Sequence, residues 1–337
     1  MEYDVYIFNE VGVKNPYSLS GTRNFAYLTS LQLGKPPKKT YEYSEQFKIA
    51  GKSSGSTLVA VPYKACNVWL PSHRWLQFSV IKDIVISDDT VTVHMYVNYI
   101  NPNGEGDYEG FVAPTAIVHV FEVFGADEQN SAFGVAIDNA TDYTKITDKS
   151  KLGFIVWSYS GVVNDGMVLP SNLPNNASQS VLAYWDHDSA VVEYDHKNNR
   201  IITNGHSLSM DIVITQGGFT PPAQNGDWGL FIFNDNGEPV LTNRYPPIKE
   251  PTFIRVGKNP SKVFDKPMVA LGQYGLFFTG ATGSSRRSYN AGLRMKNGAI
   301  SIAKGSYSGI QGDHKSGQGS EFYSECNVLV LNRDDYF

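Results

Sequence analysis

The sequence carries little charge and no basic run. Only 18% of its 337 residues are Asp, Glu, Lys or Arg, and the formal net charge is −5. Surfaces that bind nucleic acid or anionic membranes need clustered Lys and Arg. We therefore expect neither nucleic acid nor an anionic membrane surface as a partner.

Long apolar runs are missing too. No stretch of about 18 apolar residues occurs, so the sequence predicts no membrane-spanning helix. The first residues, Met1-Glu2-Tyr3-Asp4, lack the basic region and the apolar core of a signal peptide, and we expect no Sec-dependent export. A mature form whose leader has been removed would begin in the same way, and this alternative stays open.

Cysteine is scarce, because the chain has only Cys66 and Cys326, which lie 260 positions apart. That separation fits no metal-ligand spacing. We expect two buried free thiols that serve as core residues, with a disulfide between them as the alternative.

The abundant residue types favour strands and turns. The chain contains 20 Tyr, 18 Phe, 31 Gly and 17 Pro, and no long segment rich in Ala, Leu, Glu and Lys. The clearest predicted strand, Val91–Tyr99, has apolar residues at odd positions, as a sheet with one buried face requires. Further strands are predicted at Leu58–Tyr63, Leu76–Ile81, Ala116–Phe124, Phe154–Tyr159, Leu208–Ile214 and Val328–Leu331. The fold class is therefore all-β with very little helix.

Turn chemistry agrees with this fold class. Asn-Gly, which readily adopts the positive φ angles of a type I′ hairpin turn, occurs five times. Two occurrences, Asn204-Gly205 and Asn297-Gly298, are flanked by strand patterns on both sides and predict complete hairpins.

Two turn-rich breaks, at Gly125–Asn130 and Gln216–Gly226, divide the chain. They predict three β-rich units at residues 1–129, 130–222 and 223–337. We expect two or three antiparallel β-sandwich or small barrel domains in tandem, the last with Gly-rich loops.

One pattern, an aromatic residue followed by alternating apolar positions and then Asn or Asp with a turn, occurs three times. Its copies are Tyr3–Gly12, Phe133–Ala140 and Trp228–Gly237, and each predicts a strand that enters a tight turn. Chance is the alternative explanation, since any β protein contains a few such motifs.

The third copy continues through Gly237–Pro247 into Pro-Pro, and residues 226–256 resemble a small β module of tail-associated proteins of tailed bacteriophages. The middle copy lacks the turn glycine, having Asn139-Ala140 instead. The resemblance implies an edge hairpin, a homo-oligomer with a trimer favoured, and a virion protein assembled with other tail proteins in the bacterial cytoplasm. Its implied role is structural or adhesive.

Candidate metal ligands are His and carboxylate side chains that lie close together in the sequence. They are Asp186, His187, Asp188, Glu193, Asp195, His196 and His206. The alternative, which we favour, is that Asp186–Ser189 and Asp195–Asn199 are polar turns on either side of a strand at Ala190–Tyr194.

No residue pattern points to catalysis. The chain has no Gly-x-Ser-x-Gly motif, no phosphate-binding loop and no convincing carboxylate pair, because the adjacent Asp88-Asp89 and Asp334-Asp335 are typical of surface turns. We therefore assign no catalytic residue and no cofactor, and we expect a protein that is not an enzyme.

A glycine-rich stretch, Ala270–Ser320, contains eleven glycines together with Tyr and Arg residues and is typical of mobile recognition loops. Arg286, Arg287, Tyr289 and Tyr307 are the predicted contact surface for a bacterial receptor, a glycan or a neighbouring subunit. The alternative is that the glycines simply join short strands.

The sequence thus favours a structural component of a phage tail tip or tail fibre that takes part in host attachment. The alternative is a glycan-binding module or a polysaccharide-degrading enzyme with exposed tryptophans as stacking platforms, although Trp in β proteins is more often a core residue. The tryptophans are Trp69, Trp75, Trp157, Trp185 and Trp228.

Overall fold

The computed structural model describes most of the chain. The described residues are 5–22, 25–34, 42–70, 76–98, 116–123, 134–138, 143–147, 152–174, 179–218, 220–222, 230–280, 285–313 and 321–337. The strands are β1 Tyr6–Ile7, β2 Tyr17–Ser18, β3 Phe25–Leu33, β4 Glu42–Lys48, β5 Thr57–Lys64, β6 Cys66–Trp69, β7 Gln77–Ser87, β8 Thr90–Asn98, β9 Ala116–Val123, β10 Gly134–Asp138, β11 Tyr143–Thr147, β12 Phe154–Val163, β13 Met167–Val168, β14 Ser180–Tyr184, β15 Val191–Asp195, β16 Arg200–Ile202, β17 Leu208–Gln216, β18 Ile232–Phe233, β19 Pro239–Leu241, β20 Thr252–Arg255, β21 Pro267–Ala270, β22 Gly275–Thr279, β23 Ser285–Lys296, β24 Ala299–Asp313, β25 Glu321–Tyr323 and β26 Asn327–Asn332.

The predicted all-β class is confirmed. Within the described ranges the one helical element is the 3-10 turn Arg333–Asp335, and no helix is long and apolar enough to cross a membrane. Strand β8 shows why the sequence pattern works. Its apolar residues Val91, Val93 and Met95 are fully buried, whereas the side chains between them are only partly buried, because successive residues face opposite sides of the sheet.

The smaller sandwich has a three-stranded sheet, β3-β9-β5, and a four-stranded sheet, β4-β8-β7-β6. All pairs are antiparallel. Leu33, Ile81, Val93 and Val118 are among the buried side chains of its core. Every strand of this sandwich lies within the predicted unit 1–129.

The larger sandwich contains a six-stranded sheet, β12-β17-β14-β21-β26-β20, and a seven-stranded sheet, β13-β16-β15-β23-β22-β25, with β24 paired to β23. Strand β17 lies between β12 and β14, and Ile212, Val213 and Ile214 are buried on both of its faces. Such a continuous apolar run is typical of a strand in the middle of a covered sheet.

The boundary predicted between residues 222 and 223 does not separate two domains. Leu182 of β14 is paired with Ala270 of β21, and Val191 of β15 is paired with Arg294 of β23. Both sheets of the larger sandwich therefore draw strands from both predicted units. A polar, turn-rich segment ends a strand locally, but it carries no information about which distant strand will pair with that strand.

The first residues of the chain also belong to the larger sandwich. Ile7, Val13 and Leu19 are buried in its core. The Tyr17 hydroxyl donates a hydrogen bond to the carbonyl oxygen of Pro247 at 2.7 Å, and its ring stacks on Tyr336 at 6.1 Å. The two ends of the chain thus pack together.

The two predicted hairpins have different outcomes. Asn297 and Gly298 have φ angles of 51° and 74°, and they connect β23 to its antiparallel partner β24, which confirms the prediction. The hairpin at Asn204-Gly205 is wrong, because β16 and β17 lie in different sheets. The local turn forms with positive φ at both residues, but the chain crosses between the sheets there.

The three copies of the repeated pattern each begin a two-stranded sheet, β1-β2, β10-β11 and β18-β19. In the third copy the Asn234 side-chain oxygen accepts hydrogen bonds from the backbone N–H of Asn236 at 3.0 Å and of Glu238 at 2.9 Å. The predicted strand and tight turn are confirmed there. Tyr3, Phe133 and Trp228 lie outside the described residues.

Both cysteines are free and buried, as predicted. Burial raises the pKa of Cys66 and of Cys326 to about 12. A thiol with so high a pKa is a poor nucleophile, and both behave as core residues.

The turn at Gly298 provides a test of the β23–β24 hairpin. A Cβ at this position would lie 2.5 Å from the carbonyl oxygen of Asp265, in addition to the strain of a positive φ. We expect Gly298→Ala to lower the free energy of unfolding by about 2–4 kcal/mol in urea titrations.

Gly237→Ala is the matched control. Gly237 has a similar φ of 77°, but no atom in the described part of the chain lies within 4 Å of its added Cβ. It should cost about 1–2 kcal/mol. An equal loss of unfolding free energy in the two variants would show that the contact with Asp265 does not contribute to the effect of Gly298→Ala.

Candidate functional site

One apolar contact between the two sandwiches is a small seam, formed by Cys66, Leu76, Phe78, Val80, Leu276 and Phe278. Away from it, Phe25, Val61 and Phe121 of the smaller sandwich pack into the core of the larger one. The Phe78 ring lies 5.0 Å from that of Phe278 and 4.6 Å from that of Phe322. Aromatic contacts of this kind stabilise packing beyond the area that they bury. The seam holds the sheet that contains β6 and β7 against the sheet that contains β22 and β25.

One side of the seam opens into a polar cleft with a volume of about 470 Å³. Both sandwiches contribute to its walls, which also include parts of β23 and β24. Among the side chains that define this polar cleft are Lys64, Asn67, Asp195, Lys197, Arg200 and Tyr307.

Beneath the cleft, the carboxylate of Glu193 is completely buried. It accepts hydrogen bonds from the Ser306 N–H at 2.5 Å, from the Ser306 hydroxyl at 2.9 Å and from the Gln273 amide at 3.4 Å. Burial raises the pKa of Glu193, and the hydrogen bonds from Ser306 oppose that rise. The absence of a side chain at Gly292 and Gly305 leaves room for this carboxylate. Glu193 thereby fastens β24 to β15.

The β15–β16 turn forms one rim of the cleft. Asp195 accepts hydrogen bonds from the Lys197 N–H at 3.1 Å, the Asn198 side chain at 2.7 Å and the Arg200 Nε at 3.0 Å. Burial would raise the pKa of Asp195, but the bonds from Asn198 and Arg200 outweigh it and hold the pKa below its ordinary value. The turn is therefore held in one conformation that presents Lys197 to the cleft.

The predicted contact residues lie on the β23–β24 hairpin, and three of them are accessible. Tyr307 lines the cleft and is 47% exposed. The Tyr289 ring lies 5.7 Å from that of Tyr307, and the Lys304 ammonium lies 4.6 Å from the Tyr289 ring centre. Arg287 is exposed.

Arg286 does not belong to that surface, because it is only 6% exposed. The sequence predicted a mobile Gly-rich loop here, but residues 285–296 form a strand, on which neighbouring side chains face opposite sides. Arg286 and Arg287 are therefore separated. The structure replaces most of the predicted loops with the β22–β24 strands, and residues 281–284 and 314–320 lie outside its description.

A second groove, with a volume of about 440 Å³, involves another part of the interface between the sandwiches. We call it the tyrosine groove, after Tyr96 and Tyr323. Its charges are paired within the protein, since Arg255 lies 3.4 Å from Glu325 and Lys82 lies 3.0 Å from Glu42.

An aromatic cluster forms another contact between the sandwiches. The Tyr63 ring lies 4.6 Å from the His119 ring and 3.9 Å from the His196 ring. His119 shares a hydrogen bond with Ser30 at 2.8 Å through Nδ1, and both ring nitrogens of His196 are buried. Burial lowers the pKa of His119 to about 4 and that of His196 to about 3.

The candidate metal ligands do not form one group, although the ring centres of His187 and His206 lie 4.9 Å apart. Glu193 is committed to Ser306, His196 lies in the aromatic cluster, and Asp188 pairs with Lys296 at 2.8 Å. Among the residues with described positions, no three His, Cys, Asp or Glu side chains form a group suited to a metal. The polar turns predicted on both sides of this strand are confirmed.

The tryptophans offer few stacking platforms. Trp69 and Trp185 are buried, and Trp157 is half-buried and stacks on Tyr159 with 6.1 Å between ring centres. Trp75 and Trp228 lie outside the described residues.

Sequence reasoning missed Lys64, Asn67 and Lys197 as cleft residues. The one local signal was the polar turn at Asp195–Asn199. A polar turn predicts exposure to solvent, but it does not indicate which distant residues lie beside it. Lys64 and Asn67 lie near Lys197 because the two sandwiches pack against each other.

The histidine cluster makes stability depend on pH. An unfolded histidine takes up a proton below about pH 6.5, whereas folded His196 remains neutral down to about pH 3. The unfolded state therefore binds more protons in this window, and stability falls as the pH is lowered. We expect His196→Leu to reduce this slope by about 1.4 kcal/mol per pH unit between pH 6 and pH 4 in urea titrations.

Tyr63→Phe is the control, because it keeps both histidines in place and should retain the wild-type slope. An unchanged slope in His196→Leu would contradict the burial of an uncharged imidazole at this position.

Comparison with known proteins gives a match to one family profile. Residues 6–311 match DUF6453, described as a family of unknown function. The match spans strands of both sandwiches and the residues of the polar cleft. No curated protein matches this chain, and no solved structure matches it.

Proposed function

We propose that this chain, which belongs to DUF6453, a family of unknown function, is a non-catalytic attachment protein of a bacteriophage tail tip or tail fibre. We further propose that its polar cleft binds a glycan of the bacterial surface. The phage assignment is supported by the resemblance of residues 226–256 to a module of tail-associated proteins. The glycan assignment is supported by the chemistry of the cleft.

The observation that carries the glycan assignment is the arrangement of the cleft walls. Amide side chains such as Asn67, Asn198 and Asn290 line the cleft next to the exposed ring of Tyr307. Amides hydrogen-bond sugar hydroxyls, and an aromatic ring packs against the apolar face of a sugar. Both sandwiches supply these groups, so the packing across the seam holds them in place.

The carboxylates near the cleft support binding rather than hydrolysis. Glycoside hydrolysis requires a general acid and a second carboxylate that both reach the scissile bond. Glu193 is completely buried and bonded to Ser306 and Gln273, and Asp195 is bonded to Arg200. Neither side chain is free to act on a ligand in the cleft.

Assembly with neighbouring tail proteins, or into a trimer, is the other part of the proposal. Large apolar side chains on the surface support it, namely Tyr6 at 55%, Phe8 at 68% and Val168 at 68% exposure. Contiguous exposed apolar surface is often covered by a partner subunit, and Tyr6 and Phe8 lie only two positions apart in the chain. The protein would assemble in the cytoplasm of the host bacterium and function in the virion.

The test is binding of the labelled full chain to whole bacteria and to an array of bacterial surface polysaccharides. We expect binding that Tyr307→Ala weakens about three- to tenfold, since an aromatic contact contributes about 0.5–1.5 kcal/mol. Phe233→Ala removes an aromatic side chain that is exposed to a similar extent, 46%, and lies outside the cleft, so it should bind like the wild type.

Three results would overturn the proposal. They are an absence of binding to cells and polysaccharides, equal binding by Tyr307→Ala and the wild type, and release of reducing sugar from a bound polysaccharide. Light scattering on the same sample tests the assembly part, because a mass near that of a 37.3 kDa monomer would contradict a trimer.

A further inference from the structure

The polar cleft is positively charged although the chain as a whole has a net charge of −5. Among the residues that the structure describes, its walls carry three cations, Lys64, Lys197 and Arg200, and one carboxylate, Asp195, which gives 3 − 1 = +2. Counting the buried Glu193 below the walls still leaves +1. The local sign is therefore opposite to that of the whole protein.

The negative groups of the cleft are already engaged by the protein. Asp195 receives four hydrogen bonds or ion-pair contacts from its own turn, including Arg200 at 3.0 Å. Glu193 receives bonds from Ser306 and Gln273. Lys197 is exposed at the rim, so the cleft presents donors and positive charge to an incoming ligand.

Lys64 lines the cleft as a partly exposed cation. Its side chain is only partly exposed, and burial lowers its pKa. An ammonium group and a ligand anion form charge-assisted hydrogen bonds, and these are stronger where water is partly excluded. Lys64 and Lys197 come from different sandwiches and line the same cleft.

The tyrosine groove has the opposite balance of charge among its described residues. It carries Lys82 and Arg255 against three carboxylates, Asp83, Glu321 and Glu325, which gives 2 − 3 = −1. Its aromatic and polar groups resemble those of the cleft in kind, but its net charge has the opposite sign.

We infer that the polar cleft binds an anionic saccharide, one that bears a carboxylate or a phosphate, with the anion held by Lys64 and Lys197 and a sugar ring against Tyr307. This inference rests on the proposed glycan-binding function and specifies its ligand class. The shared chemistry is an anionic oxygen group on a sugar, and uronic acids and sugar phosphates are its two sources.

The test is isothermal titration calorimetry of the full chain with three probes: trigalacturonic acid for the carboxylate, maltotriose phosphate for the phosphate, and maltotriose as the neutral sugar. We expect at least one anionic probe to bind about tenfold or more tightly than maltotriose, because a charge-assisted hydrogen bond contributes about 1.5–3 kcal/mol. The binding should weaken as salt rises from 50 to 300 mM, roughly as screening requires.

Lys197→Gln removes an exposed charge and should weaken binding of the anionic probe about tenfold, leaving maltotriose unchanged. Lys64→Gln should act in the same direction. Lys262→Gln is the control, because Lys262 is an exposed lysine paired with Asp265 away from the cleft. Thermal unfolding of each variant checks that the fold is retained.

Binding of trigalacturonic acid alone would support a carboxylate ligand, and binding of maltotriose phosphate alone would support a phosphate ligand. Equal binding of maltotriose and the anionic probes would overturn the inference but leave the glycan-binding function intact. Binding to cells that depends on Tyr307 but not on Lys197 would do the same. Failure to bind any probe, polysaccharide or cell would overturn the function as well.

Discussion

Pairing of residues 180–195 with residues 267–296 holds both sheets of the larger sandwich together. The β14–β21 and β15–β23 ladders join strands that are far apart along the chain. Without these two ladders each sheet would split and expose unpaired strand edges and apolar faces such as those of Leu182 and Leu293. Leu276 and Phe278, which contact the smaller sandwich at the seam, lie on the sheet that the β15–β23 ladder completes.

The seam and the polar cleft follow from how two curved sandwiches meet. Phe78 and Phe278 are in apolar contact at the seam, and Phe25, Val61 and Phe121 of the smaller sandwich pack into the core of the larger one. Twisted sheets diverge away from such lines of contact. The space that opens beside the seam is lined by strand ends and turns. These segments are polar because they lie at the surface, where their polar groups contact water. A cleft with hydrogen-bonding walls is the result.

Two sets of buried polar groups lie at contacts between strands or between sandwiches. Glu193 fills the gap between β15 and β24 and is satisfied by Ser306 and Gln273, so removal of water from its carboxylate is offset by hydrogen bonds. His119 and His196 are packed around Tyr63 and are most stable as uncharged rings. The first arrangement stabilises one sandwich, and the second links the contact between the two sandwiches to pH.

The all-β class, the seven strands named from their patterns, the Asn297-Gly298 hairpin and the two buried thiols can be predicted from the sequence alone. Strand alternation has a period of two residues and turn chemistry depends on one or two residues, so both can be read locally. Three other features depend on tertiary packing. Residues 130–222 and 223–337 share their sheets, Asn204-Gly205 joins two sheets, and Arg286 is buried.

The polar cleft also depends on tertiary packing, because Lys64 of one sandwich and Lys197 of the other line the same cleft. The physical reason is common to all these cases. Pairing between distant strands and packing between sheets depend on the complementarity of whole surfaces, and no short stretch of residues specifies its distant partner.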